Sequence, residues 1–135
     1  MEINSVEIIK INPNHHDERG IISDVLVHEE IEHVTIITSH KGVERGNHFH
    51  KETIQWAYLY SGRLEAITQE NEEDVVVSIL GPGDLIKTDK LEKHALYALE
   101  DSVFFVFTKG PRGGQNYEED TYRLTEPLRN SINKK

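Results

Sequence analysis

Apolar and polar residues alternate over short stretches along most of the chain, and a period of two predicts half-buried β-strands. In residues 55–60, Gln55, Ala57 and Leu59 fall on one face of a strand and three aromatic residues fall on the other. Runs of branched apolar residues predict further strands at 6–12, 21–27, 33–39, 63–69, 75–80, 85–88 and 94–99. The continuous apolar run at 103–108 predicts a strand buried on both faces.

About ten short strands separated by turns, with no long amphipathic helix, predict an all-β sandwich or barrel. The strongest turn signal is Gly-Pro-Gly-Asp at 81–84. A length of 135 residues is enough for one domain with a real core. We therefore expect a single domain over 1–135, with a barrel core at about 20–108 and a C-terminal extension at 109–135. The polar part of this extension, 116–129, is predicted to hold a short strand or helical turn.

Composition narrows the function classes. The chain has no cysteine, which excludes disulfides and thiolate chemistry. A net charge of −9 argues against non-specific nucleic-acid binding, which needs a basic surface. No apolar run approaches the length of a membrane span, and the first residues do not resemble a signal peptide. We expect a cytoplasmic protein that binds neither nucleic acid nor membrane.

The chemistry concentrates between Gly42 and Gly62. His48 and His50 stand one residue apart, so an extended strand turns both imidazoles to the same face. Basic residues lie in or beside this stretch and could hold a small anion despite the negative net charge. Among them, Arg45 lies on the approach to the histidines.

The spacing of Gly42, His48, His50, Gln55 and Gly62 resembles the first sequence motif of the cupin superfamily, with glutamine where that motif usually has glutamate. A degenerate second motif follows, in which a glycine at position 83 precedes a histidine at position 94 by the expected distance. The resemblance covers roughly residues 30–108. It implies a single-domain cupin, which is a double-stranded β-helix or jelly-roll barrel.

Three imidazoles and a side-chain carbonyl that converge in a barrel could bind a divalent metal ion. The resemblance to metal-binding cupins implies that the ligands are His48, His50, Gln55 and His94. The spacing does not choose among zinc, iron, manganese, nickel and copper. A neutral amide at Gln55 binds metal more weakly than a carboxylate and disfavours trivalent iron, so dioxygen chemistry is less expected.

A narrower resemblance points to metal-free chemistry. Residues 45–51, with Gln55 and the Ser-Gly pair at 61–62, resemble a stretch of sugar-nucleotide 3,4-ketoisomerases. The Asp-Glu-Arg-Gly sequence at 17–20 resembles an opening shared with dTDP-4-keto-sugar 3,5-epimerases. This resemblance implies that His48 and His50 are acid/base groups, because histidine can remove the acidic proton beside a ketone. Arg45 is the nearest candidate to stabilise the resulting enediolate.

Arg19, Lys51, Gln55 and Tyr97 are the candidate substrate-binding residues. The chain departs from the ketoisomerase pattern at 34–38, where a tyrosine-rich strand is replaced by Val-Thr-Ile-Ile-Thr. Tyr97 is the tyrosine whose position is least constrained. No carboxylate is identified as the orienting partner of either histidine.

Three functions use the same predicted pocket. The first is an isomerase or epimerase of a keto sugar, with a sugar or sugar nucleotide as ligand. The second is a metal-dependent cupin enzyme acting on a small polar metabolite. The third is a non-catalytic cupin that binds a sugar or metabolite. Small cupins of this kind are commonly dimers, and pairing would cover exposed strand edges, so a homodimer is expected.

Overall fold

The computed structural model describes residues 6–112 and 118–132, so parts of the predicted C-terminal loop and tail lie outside the described residues. In that part of the chain the structure is almost entirely β. The strands are β1 (Glu7–Lys10), β2 (His15–Asp17), β3 (Gly20–Ile22), β4 (His33–Ser39), β5 (Glu44–Phe49), β6 (Ile54–Ser61), β7 (Leu64–Gln69), β8 (Val76–Leu80), β9 (Asp84–Thr88), β10 (Lys93–Ala98), β11 (Ser102–Lys109) and β12 (Tyr122–Arg123), followed by a 3₁₀ helix, Leu128–Ser131.

Two five-stranded antiparallel sheets form the body of the fold. The first sheet has the order β1-β9-β6-β11-β4, and the second has the order β12-β5-β10-β7-β8. Residues of both sheets meet in one apolar core that includes Leu59, Leu64, Leu80, Leu96 and Phe104. This two-sheet arrangement confirms the predicted all-β jelly roll.

Strand β11 is the centre of the first sheet, and its burial alternates. Phe104 and Val106 face inward and are buried, whereas Phe105 and Phe107 on the outer face are only half-buried. The prediction of a strand buried on both faces is therefore wrong. An apolar run cannot distinguish a strand with two covered faces from one whose outer face is open.

The N-terminal region differs from the predicted pattern. β1 pairs with β9, so the first sheet begins before the expected core. The strand predicted at 21–27 is shortened to β3, which pairs only with β2 in a separate hairpin. Ile21 and Ile22 remain exposed on this hairpin.

The described end of the C-terminal extension folds back onto the second sheet. β12 pairs with β5, and Leu128 of the 3₁₀ helix is buried against Ile67 and Ala95. The sequence predicts a short strand or a helical turn in this segment, and the structure has one of each. The described residues contain no helix long and apolar enough to cross a membrane.

Candidate active site

The histidines at the centre of the site come from neighbouring strands of the second sheet. His48 and His94 are paired across β5 and β10, and His50 immediately follows β5. Their ring centroids lie 4.7 to 5.2 Å apart. One ring nitrogen from each lies within 4.8 Å of the other two. The fold therefore brings together the three histidines that the sequence singled out.

A β-bulge in β5 aligns Arg45 with this cluster. Arg45 pairs with Leu96, and His48 pairs with His94. The two pairs are therefore three positions apart along β5 but only two positions apart along β10. The extra residue is Asn47, whose φ is 59°. An odd spacing would place Arg45 and His48 on opposite faces of a regular strand, and the bulge restores them to the same face.

Hydrogen bonds orient two of the imidazoles. Nδ1 of His50 lies 2.9 Å from the carbonyl oxygen of Asp120, and Nδ1 of His94 lies 3.2 Å from that of Glu92. A carbonyl can only accept, so each Nδ1 donates and each Nε2 carries a free lone pair. Both Nε2 atoms, and Nδ1 of His48, are buried without a hydrogen-bond partner among the described residues.

All three imidazoles are held in the neutral state. Burial, followed by the neighbouring histidines and the positive charge of Arg112, lowers the pKa of His48 to about 2. Burial, followed by the His50 imidazole, lowers the pKa of His94 to about 3. Burial also lowers the pKa of His50. Neutral imidazoles can accept a proton or bind a metal cation, and this cluster suits either role.

The cluster opens into a cavity of about 710 Å³. His48 and His94 line it, together with Gln55, apolar residues of the barrel interior and five charged residues: Glu44, Arg45, Arg112, Glu118 and Arg123. His50 is 2% exposed and lies behind this wall. The volume falls in the range of small-molecule sites, and polar and charged side chains converge on an apolar barrel interior.

Arg112 lines this cavity although no sequence pattern singled it out. Its Nη1 lies 3.3 Å from Oε1 of Gln55, so the amide oxygen accepts a bond from the guanidinium. The glutamine oxygen that is predicted to bind a metal therefore already accepts one hydrogen bond from a cation. Arg112 follows β11 in a Gly-Pro-Arg-Gly-Gly loop, and no local pattern indicates that this loop turns toward the histidines.

The other predicted site residues divide between the wall and the exterior. Arg45 reaches the cavity, where Nε donates to Oγ of Ser39 at 2.8 Å and Nη2 donates to the carbonyl of Thr38 at 3.0 Å. The ammonium of Lys51 instead lies 4.3 Å from the ring centroid of Tyr122, outside the described wall.

The structure does not bring Tyr97 or Arg19 to the cavity. Tyr97 shares the outer face of β10 with buried Ala95, and the Arg129 guanidinium lies 4.7 Å from its ring centroid. Arg19 is exposed on the β2–β3 hairpin, where Nη2 donates to the carboxylate of Asp17 at 2.6 Å. The predicted role of these residues in substrate binding gains no support from this chain alone.

Asp120 supplies the orienting partner that no sequence pattern indicated. Besides its carbonyl bond to His50, its carboxylate accepts the backbone N–H groups of Lys51, Glu52 and Thr53 at 2.8 to 2.9 Å. Burial alone would raise the pKa of Asp120, but these N–H donors outweigh it and hold the pKa below its usual value. Asp120 thus clamps the segment that carries His50, although 70 residues separate the two along the chain.

Three imidazoles with ring nitrogens within 4.8 Å of one another, each with one buried nitrogen that has no partner among the described residues, fit a divalent metal ion. The carbonyl bonds of His50 and His94 also resemble the outer-shell bonds that orient metal-ligating histidines. Oε1 of Gln55 accepts one bond from Arg112, and an amide oxygen has a second lone pair, so Gln55 as a fourth ligand stays a prediction.

Solved structures of other proteins have a similar architecture. QdtA, a sugar 3,4-ketoisomerase from Thermoanaerobacterium thermosaccharolyticum solved in complex with TDP, matches with a TM-score of 0.73 at 20% identity, over 89% of this chain and 88% of that chain. A 3,4-ketoisomerase from Helicobacter canadensis matches with a TM-score of 0.75 at 18% identity, over 98% and 100%. The dTDP-4-dehydrorhamnose 3,5-epimerase from Sulfolobus tokodaii matches with a TM-score of 0.65 at 22% identity, over 77% and 69%.

These similarities show an RmlC-like cupin fold, which confirms the predicted fold. The sequence itself identifies the family more closely, since residues 15–99 match the profile of the polysaccharide biosynthesis C-terminal domain. The chain belongs to that family. No curated protein matches it.

Proposed function

We propose that this protein is an isomerase or epimerase of a nucleotide-linked keto sugar. The observation that carries the proposal is the cavity of about 710 Å³ that neutral His48 and three arginines line together. Three arginines against two glutamates make the cavity lining net positive in a chain of net charge −9. Such a lining favours an anionic small molecule, and a nucleoside diphosphate supplies that charge. The similarity in fold to sugar-nucleotide ketoisomerases and epimerases supports the same substrate class.

In the proposed mechanism, His48 is the base that reaches the substrate. Its neutral imidazole accepts the proton from the carbon beside the ketone, and the carbonyl electron pair moves onto oxygen to give an enediolate. The buried site disfavours an imidazolium ion until this negative charge develops beside it, so the two charges stabilise each other. His50 is the proposed second acid/base group, since its ring centroid lies 4.9 Å from that of His48.

Solvent exchange tests this proposal. In D₂O, the enzyme should incorporate deuterium at the carbon beside the ketone of a TDP-linked 4-keto-6-deoxy sugar. Proton NMR measures the loss of that carbon's proton signal. His48→Asn should lower the rate by about 10²- to 10⁴-fold, and His16→Asn, on the exposed hairpin, should leave it unchanged. Absence of exchange by the wild-type protein with every 4-keto sugar nucleotide tried would contradict the proposal.

A metal-dependent enzyme is the second candidate, favoured by the three unpartnered imidazole nitrogens. His48, His50 and His94 would hold one divalent ion, which could supply a Lewis acid that polarises a carbonyl oxygen. Elemental analysis of the purified protein should then find about one ion per chain, and His50→Ala should lose it. A metal-free preparation whose activity is unaffected by chelators would eliminate this candidate.

We also propose that the protein is a homodimer, paired through the outer face of the first sheet. This face exposes Val34 at 62%, Ile36 at 64% and Tyr60 at 63%. Tyr60 packs edge to face on Phe105 at 5.9 Å, which makes the aromatic part of the patch continuous. Large apolar patches of this kind are typical of protein–protein interfaces. The cytoplasmic location stays a prediction.

A further inference from the structure

We propose that Arg112 is the catalytic residue that binds the ketone oxygen and stabilises the enediolate, an assignment that rests on the proposed function. The ketone becomes negatively charged when the base removes the neighbouring proton, and a site that accelerates this step must direct a cation or N–H donors at that oxygen. Three arginines line the cavity, and their other contacts distinguish them.

Arg45 already donates hydrogen bonds to other partners. Its Nε and Nη2 donate to Ser39 and Thr38 at the end of β4. Along β5 it pairs with Leu96, whereas His48 pairs with His94. Leu96 and His94 are two positions apart along β10, which corresponds to about 7 Å along the strand. Arg45 therefore lies one layer above the histidines, where it is suited to the remote part of a ligand.

Arg123 is committed as well. Its Nη2 donates to Oε1 of Glu118 at 2.6 Å, and its side chain is 61% exposed. An exposed arginine whose charge is already balanced is a weak electrophile, because water screens its interaction with a substrate anion. It can assist binding at the mouth of the cavity.

Arg112 has both the position and a free donor. Its contact Gln55 pairs with Thr88 and Thr108 in the first sheet, so the guanidinium lies at the floor of the barrel. Its Nε is buried and has no hydrogen-bond partner among the described residues. A buried, unpaired N–H of a cation is costly, and an anionic oxygen would satisfy it.

The electrostatics of the histidines agree with this placement. The positive charge of Arg112 is among the causes that lower the pKa of His48, His50 and His94. One cation therefore acts on all three imidazoles. When the proton passes to His48, the electron pair of the broken C–H bond forms the C=C bond and the carbonyl pair moves to oxygen. That oxygen would then lie between the new imidazolium ion and the guanidinium.

The loop should survive removal of the guanidinium. The backbone N–H of Arg112 donates to Oγ1 of Thr53 at 3.4 Å, and its carbonyl accepts from Oγ1 of Thr108 at 3.0 Å. Both bonds use main-chain atoms, so Arg112→Gln and Arg112→Lys keep them. Thermal unfolding of both variants checks that the fold is intact.

The test combines deuterium exchange with binding of TDP alone, which has no ketone. Arg112→Gln should lower exchange into the TDP-linked 4-keto sugar by about 10²- to 10³-fold, and should change the Kd for TDP by less than about threefold. Arg112→Lys keeps the positive charge but loses the planar set of N–H donors, so the exchange rate should fall about tenfold. Arg63→Gln, an exposed arginine in the turn between β6 and β7, is the matched control and should match wild type.

The outcomes separate the two hypotheses. Wild-type exchange with an Arg112→Gln rate within threefold of it would overturn the role of Arg112 and leave the proposed function intact. A fall in TDP affinity as large as the fall in exchange would also overturn it, because the residue would then be a binding cation for the nucleotide. No wild-type exchange with any keto sugar nucleotide would overturn the proposed function and this role together.

Discussion

The neutral amide of Gln55 leaves the positive charge of the Arg112 guanidinium unbalanced at this contact. A glutamate there would face the Arg112 guanidinium at the 3.3 Å now measured to Oε1, and would neutralise the cation. The neutral amide instead fixes the guanidinium and leaves its positive charge available for an anion. A side chain that differs from the usual cupin glutamate only in charge thus favours an anionic substrate oxygen at this position.

Glu92 is a second residue whose environment has a measurable consequence. Oε1 accepts the backbone N–H of Asp89, and Oε2 is buried without a partner among the described residues. Burial raises the pKa of this carboxyl from 4.5 to about 7. The folded state then holds its proton more tightly than the unfolded state, so stability falls as pH rises from about 4.5 to 7 and stays lowered above that.

Glu92→Gln should therefore stabilise the protein more at pH 8 than at pH 5, because the amide never acquires the buried charge. Urea unfolding at the two pH values measures the difference in the free energy of unfolding between variant and wild type. Glu100→Gln, at an exposed turn, is the matched control and should show no such pH dependence. An equal effect of Glu92→Gln at both pH values would show that the carboxyl is not protonated in the native state at neutral pH.

At the scale of elements, the bulge in β5 is what places two kinds of chemistry on one face. It requires Gly46, whose φ is +105° and whose missing Cβ would lie 2.8 Å from the His94 carbonyl oxygen. The close approach of β5 to β10 therefore depends on the absence of a side chain. Since His94 belongs to the cluster, any shift of this backbone moves an imidazole.

Gly46→Ala should destabilise the protein more than Gly42→Ala. Gly42 also has a positive φ, +90°, but nothing lies within 4 Å of its ideal Cβ. Gly42→Ala should cost about 1–2 kcal/mol from backbone strain alone, and Gly46→Ala should cost at least about 1 kcal/mol more because a backbone contact is added. Urea denaturation measures both, and equal costs would mean that β5 can shift away from β10 without penalty.

At the scale of the whole molecule, the chain separates a basic cavity from an apolar outer face. Three arginines and two glutamates line the cavity, so its lining is net positive in a chain of net charge −9. The apolar face lies on the first sheet, whereas His48 and His94 lie on the second. Ile36 of this face also lines the cavity, so assembly through the face would bring the partner next to the cavity.

The proposed dimer predicts a mass in solution of twice the 15.5 kDa of one chain. Val34→Lys combined with Tyr60→Lys should shift sedimentation toward the monomer, because two charges would be buried in an apolar interface. Val76→Lys, an equally exposed site on the edge strand of the second sheet, should leave the mass unchanged. A wild-type monomer at all concentrations, or a double variant that still sediments as the dimer, would contradict this surface.

Local patterns along the chain predict most of the strands, the all-β class and the shared face of His48 and His50. A period of two and the spacing of a motif are local properties, and local geometry is enough to assign a face to a side chain. The same local information placed Gln55 on the inward face of β6 and indicated the third histidine, His94.

The tertiary structure alone decided which further residues join those histidines. Arg112 and Asp120 reach the cluster from segments after β11, and the contact of Asp120 with His50 spans 70 residues of sequence. The same long-range packing left Tyr97 and Arg19 outside the cavity. Which loop closes over a barrel depends on contacts between distant segments, and no period or spacing along the chain encodes that choice.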